Sequence, residues 1–134
     1  MITYLLDTNI CIYLIKKKPI EVFKRFQSLE IGAVGVSSIT IAELQYGINK
    51  SSFPEKANNA LQNFLIPLEI LQFDYDATIP YGKIRAQLEK AGRTIGPLDM
   101  LIGAHALSLN AVLVTNNLKE FNRIEGLQTE NWII

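Results

Sequence analysis

Apolar and polar positions along the chain fall into two kinds of block. Short, nearly continuous apolar runs recur as "ITYLL", "GAVGVS", "LEILQF" and "AVLVT", with a weaker fifth in the tail "LQTENWII". Strand-length apolar runs that do not alternate with polar residues belong to strands covered on both faces. Between them lie longer amphipathic segments with helix punctuation. Thr8 or Asn9 can cap a helix to about Lys17, and Pro19 restarts a second to about Leu29. Ser37 or Ser38 can cap the helix carrying "ITIAELQYGINK", and Pro54 opens "PEKANNALQNFL". Asp74 can cap a long helix reaching Gly92, which Pro80 is expected to kink or split. Pro97 suits the first turn of a helix to about Leu109. Strands alternating with helices predict an α/β domain, a mainly parallel sheet of about five strands between helical layers. In such sheets ligands bind beyond the carboxyl ends of the strands, and Asp7 stands at the end of the first.

Composition narrows the class. The 134 residues suit one domain with a single sizeable core. Lys and Arg number 13 and Asp and Glu 13, so nucleic-acid binding by bulk positive charge is excluded, although Lys83, Arg85, Lys90 and Arg93 form a local basic set. No apolar run reaches the ~18 residues of a membrane span, and the N-terminus lacks a signal-peptide pattern. The single cysteine, Cys11, excludes an internal disulfide and a cysteine-based zinc site. A cytoplasmic protein without a membrane partner is expected. Cys11 reads as core and His105, the only histidine, as a hydrogen-bonded helix residue.

Most acids have ordinary places: Glu21, Glu55 and Asp76 in first helical turns, others in polar stretches. Four do not. Asp7 ends "YLL", Glu43 interrupts "SSITIAELQYG", Asp99 interrupts "GPLDMLIGA", and Glu120 follows "VLVTNN" in the turn after the fourth strand. Each alone has a structural explanation, but three of the four belong at the carboxyl edge of one sheet. Carboxylates sharing an apolar crevice repel one another, and some protonate unless a cation joins them. Oxygen ligands without histidine or cysteine suit a hard ion, Mg²⁺ or Mn²⁺. The chemistry expected of them is metal-assisted hydrolysis of a phosphoester.

The blocks "LLDTNI", "SSITIAELQYG", "GPLDMLIGAHAL" and "LVTNNLKEFNRIEGLQTENW" resemble, in order and spacing, the PIN-domain ribonucleases, and most of all the VapC toxins of toxin–antitoxin pairs. The resemblance runs from Tyr4 to Trp132. It implies a single PIN domain over residues 1–134, a three-layer α/β/α sandwich. It implies an endoribonuclease that hydrolyses a structured RNA, above all tRNA, with a metal-activated water. Asp7 and Asp99 match the metal-binding acids, and Glu43 matches the glutamate that holds a metal-bound water or a second ion. The chain departs from many PIN domains at "TNN": Asn117 stands where an aspartate is common, and Glu120, one helical turn on, is positioned to restore the charge. Thr8 and Thr115, with Asn9 nearby, are supporting residues, and Lys83, Arg85 and Arg93 are candidates for RNA phosphates. The implied partners are a VapB-type antitoxin, received by Ile12, Ile15, Val22, Phe23 and Phe26, and a second copy of the chain.

Two rivals are weighed against this. A haloacid-dehalogenase-like phosphatase needs a second aspartate at position 9, which is Asn9, and a receiver domain needs an acid paired with Asp7. A PIN-like module that only binds RNA or protein would not need all three main acids.

Overall fold

The computed structural model describes residues 2–133. Five strands, β1 (Tyr4–Leu6), β2 (Val34–Ser37), β3 (Glu69–Leu71), β4 (Val112–Val114) and β5 (Thr129–Glu130), form one sheet in the order β3-β2-β1-β4-β5. Every pairing is parallel, so the expected mainly parallel sheet is wholly so. Seven helices accompany it: α1 (Thr8–Lys16), α2 (Ile20–Gln27), α3 (Ser38–Asn49), α4 (Pro54–Leu65), α5 (Tyr75–Lys90), α6 (Pro97–Leu109) and α7 (Leu118–Phe121).

Neighbouring strand residues point to opposite faces, and the two apolar cores follow from that. Leu5 and Leu113 face a cluster with Ile84, Leu88, Ile102 and Phe121 from α5, α6 and α7. Leu6 and Val114 face a second with Ile10, Leu14, Val22 and Leu61 from α1, α2 and α4, closed by Trp132. Burying each aliphatic side chain contributes about 1.5–3 kcal/mol, which is why both strand faces are apolar. Cys11 lies in the second cluster, as expected.

Local boundaries differ from the sequence expectation in instructive places. The cap of α1 is Asp7 itself, whose Oδ1 accepts the Ile10 N–H at 2.9 Å, and not Thr8 or Asn9. Pro80 does not split its helix: α5 runs unbroken from Tyr75 to Lys90. Proline six residues into a helix removes only one backbone bond, close to an end already short of partners. Glu120 lies not in a plain turn but in α7, a single helical turn too short to show a periodicity.

From β1 the chain moves outward through β2 to β3, then crosses back to lay β4 on the other side of β1. The crevice at this reversal, between the carboxyl ends of β1 and β4, is where such sheets place ligands.

Candidate active site

Asp7 follows β1 directly and is held twice by its backbone. Its N–H donates to the Val114 carbonyl at 3.0 Å, and its carbonyl accepts the Cys11 N–H at 3.1 Å. Only 4% of the residue is exposed, so the carboxylate is committed to the bottom of the crevice. Burial raises its pKa; hydrogen bonds from the Thr115 hydroxyl and the Ile10 N–H oppose that rise, and the charge of Glu43 adds to it.

Glu43 reaches the same place from α3. The Thr8 hydroxyl donates to Glu43 Oε1 at 2.8 Å, joining two residues 35 apart in the chain. Asp99 comes from the first turn of α6, behind Gly96 and Pro97. A Cβ at position 96 would stand 3.5 Å from Asp99 Oδ2, so glycine leaves that carboxylate open on one side. Asp99 has its pKa pushed up to about 7, by burial first, then by a hydrogen bond with Glu120, then by the charges of Glu120, Asp7 and Glu43. The four acids singled out in the sequence therefore converge: each is close enough to weigh on Asp99.

Asn117 and Thr115 support the fourth acid. The Asn117 side-chain amide donates to Glu120 Oε2 at 3.2 Å, and its backbone N–H donates to Thr115 Oγ1 at 2.9 Å. The Asn117 side-chain oxygen makes no hydrogen bond among the described residues. Asn9 is exposed, and its backbone N–H lies against the Asp7 carboxylate. Two features carry no sequence signal. The Thr40 hydroxyl, one turn before Glu43, is fully buried without a hydrogen-bond partner. The Arg123 guanidinium ties the loop before α6 to the segment after α7 by donating to the Thr94 carbonyl at 2.9 Å.

Among the described residues, no group of three or more acid, histidine or cysteine side chains is drawn together closely enough to hold a metal ion by itself. The donors of the crevice are carboxylate oxygens, and burial and neighbouring negative charge raise the pKa of Asp99 among them. That donor chemistry fits Mg²⁺ or Mn²⁺, which keep several waters and take one or two carboxylates, and does not fit zinc.

The basic candidates separate. Arg85 is engaged with Glu89 at 3.1 Å and with the Tyr81 hydroxyl. Lys83 and Arg93 make no ion pair among the described residues. They line two adjoining cavities of about 330 and 350 Å³ that share Ile84, Gln87 and Glu125, and Arg123 adds a third cation.

A family model for the PIN domain matches residues 4–127. The chain is 47% identical over 133 residues to ribonuclease VapC2 of Haemophilus influenzae, covering 99% of this chain and all of that one. It is 44% identical over 132 residues to the tRNA(fMet)-specific endonuclease VapC of Shigella flexneri, covering 98% and 99%. Among solved structures, VapBC2 from Rickettsia felis, bound to a DNA fragment from its promoter, contains a chain with a TM-score of 0.92 and 47% identity over 98% of this chain and 99% of that one. DNA-bound VapBC from Salmonella typhimurium gives 0.93 and 45% over the same shares.

Proposed function

The chain belongs to the PIN-domain family as a VapC-type ribonuclease of a toxin–antitoxin pair, and from that premise we propose that it cuts a structured RNA, a tRNA above all, until a VapB-type antitoxin covers its acidic crevice. Divalent-metal dependence is general among such nucleases; Mg²⁺ is the ion assigned here, with Mn²⁺ as a substitute. The observation that carries the reading is the convergence of Asp7, Glu43, Asp99 and Glu120 on one crevice, crowded enough to hold a proton on Asp99 near neutrality.

Asp7 and Asp99 are the residues that would hold the ion, with Asn117 or Glu120 completing the rim. When bound, the ion supplies a Lewis acid for the phosphoryl oxygens and lowers the pKa of a water towards neutrality. Glu43, fixed by Thr8, accepts a hydrogen bond from the attacking water and orients it for in-line displacement. Asp99, whose pKa is raised while the crevice is crowded with negative charge, would be held ionised with a cation bound. Thr115, by donating to Asp7, opposes the rise that burial imposes on its pKa. Lys83 and Arg93, joined by Arg123, take the RNA backbone, and Arg85 contributes less because Glu89 already neutralises it.

For the antitoxin, the favoured receptor is a cavity of about 400 Å³ among α1, α2 and α4, lined by Leu14, Ile15, Phe23, Phe26 and Phe64. A neighbouring apolar cavity of about 270 Å³ shares Ile15 and Ala60 with it, includes Ile12, and ends at Thr8 and Glu43. A peptide laid along both would run from apolar anchors to the acids. Val22 is fully buried in the core and takes no part in this. The chain is read as one PIN domain that pairs with a second copy of itself. No described helix is long and apolar enough to cross a membrane, and the reading places the activity in the cytoplasm.

The deciding experiment incubates the partner-free protein with total tRNA plus Mg²⁺, with chelator, and as Asp7→Asn. Discrete fragments that require both the metal and Asp7 support the reading. Intact RNA throughout, from folded proteins, refutes it.

A further inference from the structure

Among the described residues, His105 and Cys11 are buried titratable groups outside the acidic crevice; Cys11 lies in an apolar core, whereas His105 sits in a polar setting that none of the steps above uses. It is 1% exposed on α6, six residues after Asp99. Its Nδ1 lies 2.8 Å from the hydroxyl of Ser37, which is 0% exposed and ends β2. Ser37 is also the cap of α3: its Oγ accepts the Ile39 N–H at 3.1 Å, and Glu43 follows six residues later. The ring's other partner is the Gln72 carbonyl, just past β3. A neutral imidazole has one donor and one acceptor. With its N–H on Gln72, Nδ1 is free to accept the Ser37 proton, and burial keeps the ring neutral by lowering its pKa. Phe73 stands edge-on to the ring at 5.5 Å, and its N–H donates to Ser38 Oγ at 3.1 Å. Every member of this buried polar node is paired.

The node lies beside the acids. Leu6 pairs with Val36 in the sheet, so Asp7 and Ser37 are neighbours one rung further on. Each helix carries its acid six residues from the node, roughly 9 Å at 1.5 Å per residue. Resting on the ribonuclease reading, we propose that His105 is a positioning residue: its bond to Ser37 sets α6 and Asp99 in register with the end of β2 and with Glu43 on α3. An apolar side chain of the same shape would fill the space but would permit α6 to slide. A fully satisfied polar pair defines one register. Misplacing a catalytic group by about 1 Å can cost 10²-fold in rate.

The test compares His105→Phe, His105→Asn and Ser37→Ala, singly and with Ser37→Ala combined with His105→Phe. Two readouts are used: tRNA cleavage, and Mn²⁺ affinity by electron paramagnetic resonance without RNA. His105→Phe is expected to lose about 10²-fold in kcat with KM unchanged, and ~10-fold in Mn²⁺ affinity. His105→Asn, whose amide oxygen replaces the Nδ1 acceptor, is expected to regain much of both. The double variant should be no worse than the poorer single one. A His105→Phe protein within twofold of wild type in kcat overturns the proposal, as does a loss accounted for by its unfolded fraction. Should His105→Phe not fold, wild-type kcat in Ser37→Ala overturns it equally. Absence of cleavage by the wild type would sink the ribonuclease reading instead, and the Mn²⁺ affinities would still judge His105.

Discussion

Asp99 shows how much one carboxylate reports at the residue scale. Its folded pKa of about 7 lies above the ordinary 3.8, so between those values the native state keeps a proton that the unfolded state has lost. The contribution of Asp99 to the stability of the metal-free protein is therefore greatest below pH ~4, falls as pH rises towards 7, and levels off above it. Calorimetric melting of wild type and Asp99→Asn across that range should show this decline as their difference, and saturating Mg²⁺ should abolish it. Asp99→Asn should remove cleavage, retain the fold and melt higher than wild type at neutral pH without metal. Unfolding of that variant under native conditions would contradict its assignment. Thr8 makes a second residue-scale case, since its hydroxyl is the only side-chain partner of Glu43 in the described structure. Thr8→Val should lose roughly 10–100-fold in kcat while tRNA binding, measured on a filter, stays level.

Among the elements, those most legible in the sequence were the ones that carry their own punctuation. Asp74 caps α5 by accepting the Ala77 N–H, Ser37 caps α3, and Pro54 and Pro97 open α4 and α6, each as their residue types dictate. Pro80 misled because its cost depends on distance from the helix end, which periodicity does not measure. The missing bond is to the Asp76 carbonyl, and Pro80→Ala should raise the melting temperature of α5 and of the whole protein in a thermal scan. Gly35 gives the opposite sign. A Cβ there would lie 2.8 Å from Leu71 Cδ1 and 3.2 Å from the Glu69 carbonyl, between two parallel strands. Gly35→Val should destabilise by about 1–3 kcal/mol in urea titration, despite valine's preference for strands.

Over the whole molecule, two apolar cavities lie on the side of α1 and α4, and the cation-lined groove lies along α5. Inhibitor and substrate would thus approach the acids from different directions, with Glu43 and Thr8 at the meeting point. Ile15, which lines both apolar cavities, should be a centre of the antitoxin contact. Ile15→Gln should raise the antitoxin concentration needed for half-inhibition by about tenfold, each variant being referred to its own uninhibited rate. An unchanged half-inhibition point would move the contact elsewhere.

The sequence by itself determined the alternation of strand and helix, the parallel sheet, the four acids and the family, because each is written in short-range pattern: apolar runs, caps, and carboxylates set among apolar neighbours. Only the tertiary structure decided that Thr8 holds Glu43, that Glu120 comes close enough to Asp99 to raise its pKa, and that Arg85 is paired with Glu89 while Lys83 and Arg93 make no ion pair among the described residues. It also decided that His105 meets Ser37 across 68 residues. The physical reason is range. Periodicity records which side of its own element a residue buries, whereas these contacts depend on how the layers pack across the sheet, and nothing local in the chain encodes that register.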